Sequence, residues 1–109
     1  MKLASSLALA AIAASTLSPP SMAQSVDVSA GRKRAEVCMA CHGEDGRSRT
    51  PGTPHLAGQD REYLIKALRA YRIGEARRDE TMTAMAKVLS DADIINIAAY
   101  FSGLNPSGR

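Results

Sequence analysis

Cys38-Met39-Ala40-Cys41-His42 holds both cysteines of the 109-residue chain, three positions apart and followed at once by an imidazole. Two thiols one helical turn apart can add to the two vinyl groups of a haem, while the adjoining ring reaches the iron as its proximal ligand. The C-x-x-C-H order therefore reads as covalent attachment of one haem c through Cys38 and Cys41, with His42 on the metal. Other uses of such a pair fit worse. A structural zinc site wants four ligands, and His55 is the one further histidine. A thioredoxin-like dithiol calls for a βαβ setting that the pattern below lacks. A disulfide between residues three apart closes too small a loop to stabilise much.

An iron held by His42 from one side takes a second ligand or stays open to small molecules. Met82 and Met85 share a helical face, so spacing alone does not separate them. A thioether is neutral and soft; relative to a second imidazole it favours Fe(II) and raises the potential. Met39 lies inside the attachment loop beside His42 and cannot reach the opposite haem face. His55 as the distal ligand would make a low-potential bis-histidine site.

The elements that must position these groups read as helices and loops, with no β alternation. A first helix is expected from about residue 29 through Val37 into the cysteine motif, ending at Cys41-His42-Gly43. Residues 43–58 form a loop marked by Asp45-Gly46, Pro51-Gly52 and Pro54. A second helix runs from about residue 60 to 73, with Tyr63, Leu64, Ala67, Leu68 and Tyr71 on one face and Gly74 stopping it. After a charged connector at 77–80, residues 81–89 make a short helix or a partly irregular segment carrying both methionines. Ser90-Asp91-Ala92-Asp93 has capping-box spacing and opens a last helix through Ile94, Ile97, Ala98 and Phe101 to Gly103. The fold class is all-α.

Residues 1–23 read as a secretory signal: Lys2 gives the positive start, residues 7–17 an apolar run, Pro19-Pro20 a break, and Ser21-Met22-Ala23 a small-x-small cleavage site. The expected mature domain is 24–109, beginning at Gln24 and exported to the bacterial periplasm. The apolar run is too short to span a bilayer, so no stable membrane insertion is expected after cleavage; an uncleaved anchor is the alternative. Removing the signal takes away one base and no acid, leaving thirteen basic against eleven acidic residues, a formal +2. With few aromatic residues for base stacking, that charge is no argument for nucleic-acid binding. Arg32-Lys33-Arg34, Arg47 with Arg49, and Arg72 with Arg77-Arg78 are either solvated surface or a positive rim that steers an acidic redox partner. One Phe, three Tyr and no Trp make a thin core, which a porphyrin would fill. The polypeptide without its haem should then fold poorly.

Together these stretches resemble the class I cytochromes c, close to the c4/c553-type cytochromes of bacteria. The resemblance rests on Gly31, the run from Cys38 to Gly43, Pro54-His55-Leu56-Ala57-Gly58-Gln59, the helix from Tyr63-Leu64 to Tyr71, and the stretch from Met82 to Ala98-Ala99-Tyr100-Phe101. It implies a small all-α fold wrapped around one covalently attached haem. It implies that the Pro54 carbonyl accepts from His42 and fixes the ring's tautomer. It places Gly31 where the first and last helices cross, with Tyr100 against it. The first methionine, Met82, becomes the distal ligand, with Met85 as a packing residue and fallback. His55, beside Pro54 on the proximal side, is then poorly placed for the distal position.

The implied function is single-electron transfer between redox partner proteins, without a catalysed transformation of its own. No Ser-His-Asp pattern, phosphate loop or carboxylate-rich metal site points to separate catalysis. Two alternatives remain: a haem subunit of a larger oxidoreductase whose catalytic centre lies on another chain, and a five-coordinate haem that senses a gas or acts on peroxide.

Overall fold

The computed structural model describes residues 2–17 and 25–107. The Pro19-Pro20 break, the Ser21-Met22-Ala23 site and Gln24 lie outside the described residues. Residues 2–17 carry no regular secondary structure, and Leu7, Leu9, Ile12 and Leu17 are exposed. Among the described residues no helix is long and apolar enough to cross a membrane.

Five helices and, among the described residues, no strand make the domain: α1 (Val28–Arg34), α2 (Glu36–His42), α3 (Arg61–Ile73), α4 (Glu80–Lys87) and α5 (Asp91–Ser102). The short segment around the methionines is thus a helix. Side chains open four of the five: Asp27 accepts from the Ala30 N–H, Asp60 from Tyr63, Asp79 from Met82, and Ser90 from Asp93. At α5 the capping box is complete, since the Asp93 carboxylate accepts in turn from the Ser90 N–H at 3.0 Å. Gly74, at φ +71°, closes α3 in the left-handed conformation.

The single first helix expected from sequence is two. At Ala35 (φ −77°, ψ −4°) the axis is interrupted: the Ala35 N–H still reaches Gly31 O, and its carbonyl is shared between the Cys38 N–H at 2.9 Å, three residues on, and the Met39 N–H at 3.2 Å. A ψ near zero tightens the turn and redirects the chain. As a result α1 packs along α5 while α2 leaves that face. Neither Gly nor Pro marks the break, and the Ala35 side chain is wholly buried.

The core gathers Ala35, Leu64, Ile65, Leu89, Ile94, Ile97, Ala98, Tyr100 and Phe101, with Cys38, Met39, Leu56, Leu68, Ile95 and Leu104 packed around it. The buried face of α3 differs from the sequence reading. Leu64 and Ile65 are buried, while Tyr63 is 46% exposed. Because α3 packs against both α4 and α5, its apolar face is wider than one stripe and takes in Ile65. The exposed Tyr63 is engaged by Arg77, whose Nη1 and Nη2 each lie 3.3 Å from its hydroxyl and whose guanidinium sits 4.7 Å from the Tyr71 ring centroid.

Gly31 is buried where α1 crosses α5, and a side chain there would drive into the Asn96 carbonyl. The atoms nearest that position belong to the Asn96 and Ile97 backbone, and Tyr100 is buried in the core with its ring 5.2 Å from that of Phe101. The same crossing is tied by the Asp27 N–H, which donates to Asn96 Oδ1 at 2.9 Å.

Gly31→Ala is therefore expected to lower the stability of the holoprotein by about 1–3 kcal/mol in urea unfolding. Gly103→Ala is expected to change it by less than about 0.5 kcal/mol, because Gly103 has helical φ and its nearest neighbour, Ala99 O, would lie 3.4 Å from a new Cβ. Acidification probes the capping box. The Ser90 N–H first, and then Arg34, hold the Asp93 carboxyl below its ordinary value against the opposing effect of burial. A lowered folded-state pKa contributes stability above the ordinary carboxylate range, and that contribution is lost as pH falls through and below it. Unfolding free energies measured across that range should fall less steeply for Asp93→Ala than for the wild type.

Candidate functional site

α2 places Cys38 and Cys41 one turn apart on a common face and ends on His42. Both cysteines are free thiols; Cys38 is half-buried against the core and Cys41 exposed. Burial pushes the Cys38 thiol above its ordinary pKa, against the pull of the Arg34 guanidinium.

The turn after His42 is made by Gly43 at φ +87°, where a side chain would meet the Arg47 carbonyl. The loop then folds back on itself: the Gly46 carbonyl accepts from the N–H groups of Leu56 and Ala57 at 2.8 and 2.9 Å. This return brings the Pro54 carbonyl to within 2.8 Å of His42 Nδ1. A carbonyl oxygen only accepts, so Nδ1 carries the proton and Nε2 is left with its lone pair. His42 is 7% exposed, yet among the described residues no buried side-chain nitrogen or oxygen lacks a partner. Nε2, which makes no hydrogen bond, therefore keeps accessible surface and can take a metal.

Two further loop side chains hold this geometry. The Ser48 hydroxyl lies 3.1 Å from both the Cys41 and Thr50 carbonyls, and the Ser48 N–H donates to His55 Nδ1 at 2.8 Å. The exposed His55 thus joins the two limbs of the loop that carries Pro54. Residue type alone marks His55 as a possible ligand and gives Ser48 no role; their setting between Gly and Pro turns is the signal that both are structural. Arg47 donates to the Pro106 carbonyl, and the Gly58 N–H to Phe101 O at 3.0 Å, fastening the loop to the end of α5.

The methionines stand on another element. α4 turns Thr83 and Ala86 into the protein; Met82 is partly buried and Met85 is 43% exposed. α4 packs against α3 and α2 against α1, and α2 and α4 do not pack on each other. The structure thus brings Cys38, Cys41, His42 and Pro54 together on one side and keeps both thioethers on a separate helix. Two thiols on one helical face, a buried imidazole with one nitrogen available and a soft donor on a second element fit a covalently attached haem c. Among the described residues no three His, Cys, Asp or Glu side chains gather as a metal cage.

Residues 28–105 match the family model for cytochrome c. Cytochrome c-554(548) of Halomonas halodenitrificans is 45% identical over 78 residues, covering 70% of this chain and 94% of that protein. A protein of Thiomonas intermedia named thiosulfate dehydrogenase electron acceptor is 38% identical over 99 residues, covering 90% of this chain and 45% of that one. The crystal structure of reduced recombinant cytochrome c4 from Pseudomonas stutzeri superposes with a TM-score of 0.70 at 43% identity, over 74% of this chain and 47% of that one. The chain spans most of the first of these proteins and less than half of the other two.

Proposed function

The chain belongs to the cytochrome c family, with its all-α fold and covalently bound haem c, and we propose that it carries single electrons between redox proteins of the bacterial periplasm. The observation that carries this reading is the His42–Pro54 hydrogen bond, which leaves Nε2 available beside the two thiols. Cys38 and Cys41 hold the haem by thioether links. His42 ligates the iron through Nε2 with its orientation set by Pro54, and Met82 closes the distal side, with Met85 as the fallback. Bound there, the haem supplies one-electron Fe(III)/Fe(II) chemistry.

The polypeptide contributes orientation and constancy. Pro54 prevents the His42 ring from rotating and makes it a better donor. His42 at the end of α2 and a methionine on α4 would hold the iron from two fixed elements of the fold, which suits one-electron chemistry with little rearrangement. Residues 1–23 serve as the export signal and 24–109 as the functional domain. Exposed cations such as Arg32, Lys33, Arg78 and Lys87 suit an acidic partner surface.

A second reading, the electron-accepting subunit or partner of a larger dehydrogenase, is favoured by one observation. The Thiomonas relative that covers 90% of the chain is named as such an acceptor. A five-coordinate sensor or peroxidase would need both methionines off the iron.

In the oxidised holoprotein Met82→Ala should abolish the weak far-red thioether-to-iron band and lower the midpoint potential, whereas Met85→Ala should keep the band. The reverse result would exchange their roles, and a wild type without the band would favour the five-coordinate reading. Mass spectrometry with amino-terminal sequencing of periplasmic protein should give a chain beginning at Gln24 and carrying one haem. An intact residue 2–23 segment would overturn the assignment of the signal.

A further inference from the structure

Two arginines from different helices converge on the segment that leaves α4. Arg72 of α3 donates through Nη1 to the Leu89 carbonyl at 3.2 Å and through Nη2 to Asp91 Oδ1 at 2.6 Å. Arg34 of α1 donates through Nε to Asp93 Oδ2 at 3.3 Å, with its Nη2 3.5 Å from the Val88 carbonyl. Each guanidinium so joins one carbonyl just after α4 to one carboxylate in the first turn of α5. The planar fork of arginine suits such a double task; the point charge of lysine does not.

α4 needs this support. It has eight residues, buries only Thr83 and Ala86, and packs against α3 alone. A helix of that length is not stable by itself, and carbonyls at a helix end have no partner within the helix. Its start is tied through Asp79, which accepts from the Met82 N–H at 2.8 Å. Its exit is tied by Arg34 and Arg72, whose side chains are 36% and 29% exposed.

We propose that Arg34 and Arg72 are positioning residues for the distal methionine: by clamping the exit of α4 to α1, α3 and α5 they set how often the distal side of the iron opens to an outside ligand. This rests on α4 supplying the distal ligand, as argued above. Opening of α4 is a local unfolding whose frequency depends on the contacts broken in it and not on the stability of the whole domain. Removing the Arg72 fork leaves the Leu89 carbonyl and the Asp91 carboxylate without their bonds and favours that opening.

The test uses the oxidised holoprotein and imidazole, which binds ferric haem where the thioether leaves it. At saturating imidazole the rate at which the far-red thioether band disappears reports the opening of α4. Arg72→Gln should raise that rate roughly tenfold, Arg34→Gln by less, and the double variant by more than either. Arg72→Lys, which keeps the charge but reaches one acceptor at a time, should fall between the wild type and Arg72→Gln, and it carries the test if Arg72→Gln does not accumulate. Arg49→Gln, which breaks the Arg49–Asp45 pair in the proximal loop, should leave the rate unchanged. Unchanged rates in the Arg72 variants and the double variant would overturn the proposal, as would increases that only track global stability in the way Gly31→Ala does. A wild type that shows no thioether band would instead overturn the ligand reading beneath it.

Discussion

The hydrogen bond between the His42 imidazole and the Pro54 carbonyl is the constraint on which the rest of the site depends. A histidine at the end of a seven-residue helix would otherwise turn about its χ angles and could expose either nitrogen. With Nδ1 committed at 2.8 Å, the ring has one tautomer and one orientation, and a single lone pair is left to act as a ligand. That bond in turn requires residues 43–58 to double back to α2. The positive φ at Gly43, the Gly46 carbonyl serving two N–H groups, and the Ser48 and His55 contacts all serve that return. The loop is thus part of the ligand as much as a connection between helices.

Around this proximal side the helices are assembled by close backbone approach and by polar fastening. The Gly31 crossing brings α1 within contact of the α5 backbone, which no larger residue permits. With a single phenylalanine and no tryptophan, packing alone is a modest source of stability. Side-chain caps open four helices, and two arginines bridge α1 and α3 to the start of α5. Such bonds are individually small because they are partly solvated, but they are directional, and direction is what a ligand-bearing helix requires.

The two sides of the site differ in how they are held. The proximal group sits on one short helix and a loop sewn together by several hydrogen bonds, next to the core residues that touch Cys38 and Met39. The distal candidates sit on α4, which has one helical neighbour and is fastened at its two ends. An electron carrier needs both ligands constant through its cycle. The structure places the weaker restraint on the helix that carries the two methionines.

Residue identity alone carried the chemistry. Cys38, Cys41 and His42 announce a covalent haem because their spacing matches one helical turn, and helix boundaries at Asp60, Gly74, Ser90 and Gly103 follow from caps that act within a few residues. Tertiary structure decided what depends on partners distant in the chain. The break at Ala35 has no local signal and arises where α1 keeps to α5 while α2 departs; Ile65 is buried because α3 has two helical neighbours, while Tyr63 stays exposed in contact with Arg77. His55 and Ser48 acquire their work only when the loop closes, and Arg34 and Arg72 find acceptors 54 to 59 and 17 to 19 residues away. Short-range spacing is written in order of residues, whereas a bond between remote segments exists only once the chain has folded to bring them together.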